Sequence, residues 1–520
     1  MRVWVSSGRV SADASIRGPK TCAARRSDSV LTERIDSRTT VRQHTPKSRS
    51  TQMQTPLVRA LLALCAVAHA APTADLVASL PGWAGQLKSP MYSGYVEVEG
   101  MQVHYLFVEC ESKAPQDAPV LVWSNGGPGA SSMFGLFVEL GPYVMNEQSL
   151  RAQGPPTLFD NPYAWTKSGS VLIFDWPPPV GFSYCHDDPT GKGTSCGDWD
   201  DDRFSRVAYG ALAAWYAKFP EFAGNDLYLT GESYAGIYIP RLAKSILEGG
   251  DASLKTRLKG FAVGDACAGN KVNCGGESPW FNLLFLYGHG QLSTKMFDKV
   301  TSTCGQKYLK QGGTAPKGCR AMLERMTAAA AGYFEYNLYD ECTYDDLLSQ
   351  GNGAVNDYVC GGGSALNKWI LREDVREALH VPTDSLFFDG DNGEGMVYKQ
   401  TEPDLMPFYR KVAQKTDLRV LVYNGDADPS INSFVAENWT VALGYEETQP
   451  WRAWTLDGCR KVGGYVTRYR QNFDYLTIRG SGHMVPQFKP AAAAAFLESW
   501  LSGEDYPVYV ANCSAPSSAR

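Results

Sequence analysis

Six short, nearly continuous apolar runs restrict the fold of this 520-residue chain more than any other sequence feature. A strand with one exposed face alternates apolar and polar residues, whereas a parallel strand covered on both faces is apolar throughout. Helical patterns lie between several runs, and the clearest spans 204–219, where large apolar residues share one stripe. We therefore predict an α/β fold with a mostly parallel central sheet and right-handed crossovers. The runs occupy residues 119–124, 171–176, 226–231, 258–264, 419–425 and 475–480.

Two further segments depart from this pattern. Residues 94–108 contain two β-rich runs around Glu99-Gly100, which predicts an antiparallel hairpin. Between residues 266 and 405 the alternation of strands and helices stops, and the chain carries cysteines, Gly-rich loops and isolated helical stretches such as 365–380. We interpret residues 71–520 as one α/β domain with a cap subdomain inserted at about 266–405.

The first 70 residues do not have the composition of a globular domain. Residues 1–52 contain 11 Lys/Arg against 4 Asp/Glu, so we interpret them as a basic disordered leader or a gene-model extension. Residues 53–70 combine Arg59, an apolar run and the small-x-small pattern Ala68-His69-Ala70, which predicts a signal peptide that begins at Met53. An organelle transit peptide is the alternative, because such leaders are also rich in Arg and Ser.

Charge and cysteine content restrict the partners and the compartment of residues 71–520. Their 37 basic and 51 acidic residues give a net charge of −14, which argues against a nucleic-acid partner. No apolar run reaches the ~20 residues that a membrane span needs. In a secreted or vacuolar/lysosomal chain, eleven cysteines predict disulfides, and their odd number implies a free thiol. Candidate local pairs are Cys185–Cys196, Cys267–Cys274 and Cys304–Cys319, and candidate glycosylation sites are Asn438 and Asn512.

Ser233 lies where a predicted strand runs into a predicted helix. Its surroundings, Gly231-Glu-Ser-Tyr-Ala-Gly236, resemble the G-x-S-x-G turn that exposes a nucleophilic serine, although Ala235 replaces the last glycine. A serine at such a junction is more often a helix N-cap, so the motif needs partners.

Partners of the required types follow later strands. A serine nucleophile needs a base to accept its proton and an acid to orient that base. Asp428 and His483 each follow an apolar run, in the chain order serine, acid, histidine. Asp426 is the alternative acid, because it lies two residues away in the same turn.

The loop 124–132 follows an early strand and is rich in glycine. Such a loop allows backbone N–H groups to approach a ligand and to stabilise a developing oxyanion. On its own the loop also fits an ordinary Gly-Pro turn.

Seven segments together resemble the serine carboxypeptidase family. They are WSNGGPGASS (123–132), VELGPY (138–143), NPYAW (161–165), VGFSY (180–184), LTGESYAGIYIP (229–240), VLVYNGDADPSIN (420–432) and GSGHMVPQFKPAAA (480–493). The resemblance implies an α/β-hydrolase fold and hydrolysis of the C-terminal peptide bond of peptides and proteins through an acyl-enzyme, with no cofactor or metal. It assigns Ser233 as nucleophile, Asp428 as acid and His483 as base, with the N–H groups of Gly127 and Tyr234 as oxyanion donors.

The same resemblance implies a site for the substrate's C-terminal carboxylate. The residues that it assigns to this site are Trp123, Asn125, Gly126, Glu139 and Glu232. Two carboxyl groups held close together cannot both ionise, so Glu139 and Glu232 should share a proton and donate it to the substrate. We therefore expect activity to favour mildly acidic pH. Without the resemblance, Glu139 would be interpreted as a solvated helix end.

Three features differ from the family's usual pattern. Ala130 stands where the family often has cysteine, so we expect no bridge from this loop to the cap and a different way of holding the cap. The segment 175–180 reads Asp-Trp-Pro-Pro-Pro-Val in place of the more common Ser-Pro-Ala-Gly form. The cap itself is hard to match, and it largely sets the side-chain preference.

Other functions remain as alternatives. A metallocarboxypeptidase is disfavoured because no histidine begins an H-x-x-E or H-E-x-x-H pattern. An acyltransferase could use the same acyl-enzyme with an alcohol in place of water. A non-catalytic binding or protective relative is a further alternative, disfavoured because all three triad positions are filled. The sequence does not indicate an oligomeric state.

Overall fold

A central sheet of eleven strands organises the part of the chain that the structure describes. This computed structural model describes residues 71–151, 153–274, 279–330, 333–339, 361–390 and 393–513, which belong to one compact unit, Ala68–Arg520. The predicted leader and signal peptide, 1–52 and 53–70, lie outside the described residues.

The strands confirm the predicted sheet. They are β1 (Met91–Val98), β2 (Met101–Val108), β3 (Val120–Ser124), β4 (Tyr143–Val144), β5 (Phe159–Asp160), β6 (Ser170–Phe174), β7 (Tyr184–Cys185), β8 (Trp199–Asp200), β9 (Leu227–Glu232), β10 (Leu258–Gly264), β11 (Tyr398–Lys399), β12 (Arg419–Gly425), β13 (Glu447–Thr455), β14 (Val462–Tyr469) and β15 (Phe473–Ile478). The sheet order is β1-β2-β6-β3-β9-β10-β12-β15-β14-β13, with β7 beside β2. The six predicted apolar runs form the parallel block from β6 to β15, and β1 and β2 form the predicted hairpin.

The antiparallel pair β13 and β14 at the far edge was not predicted. Strand β13 is mostly exposed and contains Pro450, so its sequence is neither continuously apolar nor regularly alternating. Its position at the edge of the sheet, where β14 is its one neighbouring strand among the described residues, explains why such a sequence is tolerated there.

The helices are α1 (Asp201–Lys218), α2 (Ala235–Glu248), α3 (Ala252–Arg257), α4 (Pro279–Gly288), α5 (Thr294–Cys304), α6 (Gln306–Gln311), α7 (Cys319–Ala329), α8 (Gly362–Ile370), α9 (Glu373–Ala378), α10 (Met406–Lys415), α11 (Ser433–Val441), α12 (Val485–Phe488) and α13 (Pro490–Ser502). Helix α1 matches the predicted helix, and the Asp200 side chain caps it by accepting from the Arg203 N–H. The helical stretch predicted at 365–380 forms two helices, α8 and α9, because the backbone at Arg372 is extended. None of the described helices is both long and apolar enough to cross a bilayer.

Two apolar layers cover the sheet. Alternate residues of β9 point to opposite faces: Leu227 and Leu229 pack in the layer with α1 and α2, and Tyr228 packs in the layer with α13. Burial on both faces explains why the parallel strands are apolar throughout.

The helices α4 to α7, between β10 and β12, form a separate apolar cluster. It includes Leu283, Val300 and Met322, and it contacts the sheet domain through Ala427 in the loop after β12. This helical region therefore packs directly against the loop that carries Asp428.

The disulfides Cys185–Cys196, Cys267–Cys274 and Cys304–Cys319 confirm the three candidate pairs. A fourth, Cys459–Cys513, joins the turn between β13 and β14 to the C-terminal segment. Among the described cysteines, the buried Cys110 is unbridged.

Candidate active site

Ser233 lies in a sharp turn between β9 and α2 and has a positive φ of 62°. Its N–H donates to the Gly264 carbonyl at 2.9 Å, and its carbonyl accepts from the N–H groups of Gly236 and Cys267 at 2.9 and 3.0 Å. A Cβ atom on Gly231 would lie 2.6 Å from the Ser124 carbonyl oxygen, which explains the small residue before the turn. These contacts hold Ser233 in a conformation that serine rarely adopts.

His483 and Asp428 form a buried pair. His483 Nδ1 lies 2.7 Å from Asp428 Oδ2, and Asp428 also accepts from the N–H groups of Ser430 and Ile431 at 2.8 and 3.1 Å. An ionised carboxylate facing Nδ1 fixes the proton there, so that Nε2 is the ring atom left to accept a proton. The alternative acid, Asp426, instead accepts from the Gly480 N–H at 2.6 Å.

Ser233 and His483 line the same cavity, although they are not hydrogen-bonded to each other. His483 Nε2 is buried and has no partner among the described residues. Hydrogen bonds of this kind are often open in unliganded enzymes and tighten in the substrate complex. The structure thus brings together the three side chains predicted to form a triad.

The loop 124–132 packs against the Ser233 turn. A Cβ atom on Gly126 would lie 2.9 Å from Ser233 Cβ and would overlap the Tyr234 backbone nitrogen, so only glycine fits. Gly127 has a φ of 103°, which also favours glycine. Neither the Gly127 N–H nor the Tyr234 N–H donates to a protein acceptor within the described ranges. Two N–H groups on adjoining segments are therefore available beside Ser233.

Asn125 joins two buried carboxyl groups beside the same cavity, which Asn125 and Glu232 line. Its Nδ2 donates to Glu139 Oε1 and to Glu232 Oε1, both at 2.9 Å, while Trp123 Nε1 donates to Asn125 Oδ1 at 2.8 Å. The Oε2 atoms of both glutamates are buried and accept from no described donor. Four of the five residues that the family resemblance assigned to carboxylate binding are linked in this way, and the fifth, Gly126, lines the cavity.

The two glutamates do not ionise together. Burial raises the pKa of Glu139 to about 7. Burial, followed by the charge of Glu139, raises the pKa of Glu232 well above its usual range. In acidic solution the pair therefore retains a proton that it can donate to a carboxylate ligand.

Hydrogen bonds connect the loop around Ala130 to Asp389, Gly390 and Gly393. Gly390 N–H donates to the Gly129 carbonyl at 2.9 Å, Gly393 N–H to the Pro128 carbonyl at 2.8 Å, and Ser131 N–H to Asp389 Oδ1 at 3.2 Å. These bonds attach the loop to the segment predicted as cap.

Two residues that the sequence analysis did not identify border the site. The Tyr336 ring lies 4.9 Å from the His483 ring, and its carbonyl accepts from the His483 N–H at 2.8 Å. Asp265 directly follows β10 and is buried near Asp428. An acidic residue after a buried parallel strand was a signal for Asp265, whereas no sequence pattern points to Tyr336.

Comparisons with known proteins identify relatives. A family model described as serine carboxypeptidase matches residues 81–503. The lysosomal protective protein of Mus musculus is 31% identical over 86% of this chain and 98% of its own. A serine carboxypeptidase of Caenorhabditis elegans is 30% identical, over 84% of this chain and 95% of its own. Serine carboxypeptidase-like 20 of Arabidopsis thaliana is 29% identical, over 84% of this chain and 95% of its own.

A solved structure shares the fold. The prohormone-processing carboxypeptidase of Saccharomyces cerevisiae superposes with a TM-score of 0.64 at 19% identity, covering 84% of this chain and 97% of that one. Together with the strand order, this similarity identifies the fold as that of the α/β-hydrolases.

Proposed function

Because this chain belongs to the serine carboxypeptidase family, we propose that it is a serine-type carboxypeptidase that hydrolyses the C-terminal peptide bond of peptides and proteins. One observation carries the proposal: the hydrogen-bonded group Glu139-Asn125-Glu232 borders the cavity that holds Ser233 and His483. A proton-bearing carboxyl pair beside a nucleophile suits a substrate with a free C-terminal carboxylate.

In the proposed mechanism, Ser233 Oγ attacks the carbonyl carbon of the last peptide bond while His483 Nε2 accepts its proton. Asp428 stabilises the resulting imidazolium, and the N–H groups of Gly127 and Tyr234 donate to the oxyanion. His483 then donates the proton to the leaving amine, which departs as the C-terminal amino acid. Water, activated by His483, hydrolyses the acyl-enzyme and regenerates the Ser233 hydroxyl.

The carboxyl pair also supports an acidic optimum. The pair donates a hydrogen bond to the substrate carboxylate while it retains its proton, and burial raises the Glu139 pKa to about 7. Above this range Glu139 is ionised, and its negative charge near the substrate carboxylate weakens substrate binding.

The secretory pathway is the proposed location, with a destination outside the cell or in a vacuole or lysosome. The four disulfides among the described residues fit an oxidising compartment. The proposal also includes three further features. Residues 53–70 are a signal peptide, Asn438 and Asn512 are glycosylated, and residues 266–405 form a cap.

Activity on blocked dipeptides at pH 5 tests the proposal. We expect release of the C-terminal amino acid by the purified protein. Transfer of an acyl group from an acylglucose donor without dipeptide hydrolysis would instead favour the acyltransferase alternative. Inactivity on both substrates, with no labelling by a fluorophosphonate, would favour a non-catalytic relative.

A further inference from the structure

Asp265 places a second buried carboxyl group beside the proposed triad. It follows β10 with a positive φ of 43°, and Asn424 Nδ2 and the Gly425 N–H both donate to its Oδ1 at 3.0 Å. One carboxyl oxygen of Asp265, one of Asp428 and a ring nitrogen of His483 lie within 4.8 Å of one another. All three side chains are buried.

Two carboxyl groups in this position cannot both ionise at ordinary pH. Asp428 accepts from two backbone N–H groups and from His483, so it is the better stabilised anion. Burial, followed by the charge of Asp428, raises the pKa of Asp265 well above its usual range.

The other titratable groups that face Asp265 also favour its protonated form. Glu232 at the end of β9 adds negative charge, and Tyr423 of β12 and Tyr475 of β15 are neutral phenols held near it. Among the described neighbours, His483 is the one group that could carry a positive charge, and it is already bonded to Asp428. The proton therefore belongs on Asp265.

We propose that Asp265 is a positioning residue that acts through Asp428: its carboxyl O–H donates a hydrogen bond to the Asp428 carboxylate and keeps the pair at a single negative charge. The inference rests on the proposed roles of Asp428 and His483. The bond orients Asp428 toward Nδ1 of His483. The single charge also limits how strongly Asp428 stabilises the imidazolium of His483.

Two substitutions at this position separate the proposal from a structural role. In Asp265→Asn the amide is neutral and still donates, so kcat should stay within about threefold of wild type and the His483 pKa should not move. In Asp265→Ala the donor is lost, so kcat should fall about tenfold, as expected for losing a bond to a charged group. The His483 pKa should then rise, because Asp428 becomes a stronger base.

The measurements are the acid limb of kcat/KM against pH and the titration of the His483 ring followed by NMR. Asp426→Asn is the matched control, since Asn can still accept from the Gly480 N–H and Asp426 does not contact His483. A fall of the His483 pKa in Asp265→Asn would overturn the proposal, because it would mean that an ionised carboxylate had been removed. If Asp265→Ala does not fold, the Asn variant alone still decides between these outcomes.

The NMR titration also separates this inference from the proposed function. If the wild-type protein cleaves no blocked dipeptide, the proposed function fails while the His483 titration still tests the charge state of Asp265. If the wild type is active and Asp265→Ala matches it in kcat and in His483 pKa, the inference alone fails.

Discussion

His483 Nδ1 lies 2.7 Å from Asp428 Oδ2, and the opposite ring nitrogen of His483 is buried without a described partner. This pairing fixes the direction of proton movement in the proposed mechanism. The two residues follow different strands, β15 and β12, which are neighbours in the sheet. Parallel strands end at the same edge, and this is why residues distant in sequence meet there.

Replacing Asp428 should remove nearly all activity. In Asp428→Asn the histidine loses the acceptor that fixes its tautomer, and we expect kcat to fall on the order of 10⁴-fold. Asp426→Asn, two residues away, should stay within about threefold because its partner is the Gly480 N–H. Initial rates on a blocked dipeptide measure both; equal losses in the two variants would contradict the assignment of the acid.

The carboxyl pair predicts how substrate affinity changes with pH. As the pH rises through about 7, Glu139 ionises and the pair gains a negative charge that repels the substrate carboxylate, so KM for peptides with a free C-terminus should rise. Glu139→Gln removes the carboxyl group that ionises in this range, so the rise in KM should become smaller. Steady-state kinetics between pH 5 and 8.5 test this, and an identical KM profile in the variant would contradict it.

The same pair predicts that stability falls toward neutral pH. The Glu139 pKa is raised from 4.5 to about 7, so its contribution to folding is fully present below 4.5 and is lost as the pH rises through about 7. The loss is on the order of 3 kcal/mol. The free energy of unfolding in urea should be higher at pH 5 than at pH 7.5, and Glu139→Gln should reduce this difference. A wild-type value that does not change with pH would contradict the prediction.

Gly126 should tolerate no side chain. A Cβ atom there would overlap the Tyr234 backbone nitrogen, so Gly126→Ala must displace the loop or the Ser233 turn. We expect kcat to fall at least about 100-fold, the scale of losing one oxyanion donor. Gly224→Ala is the matched control, because nothing lies within 4 Å of its added methyl group. Circular dichroism should show that both variants fold; full activity in Gly126→Ala would contradict the close approach.

The sequence predicts the parallel block well because burial on both faces leaves a simple apolar pattern. Strands β13 and β14 were missed because pairing at a sheet edge imposes no such pattern. Ser233, Asp428 and His483 could be identified because each follows a strand and belongs to a recognisable motif. Asp265 also follows a strand, but it belongs to no recognisable motif and was missed. Tyr336 has no sequence signal, because its importance depends on a contact with His483 that joins distant segments.

Release of a C-terminal amino acid from matched peptides with a free or an amidated C-terminus tests the central claim most directly. We expect the wild-type protein to cleave the free peptide at pH 5 and to cleave the amidated one at least about tenfold more slowly, because the amide removes the charge that the Glu139 and Glu232 pair binds. Ser233→Ala should lose about three or more orders of magnitude of activity on the free peptide while remaining folded. Equal cleavage of both peptides, or wild-type activity in Ser233→Ala, would contradict the account.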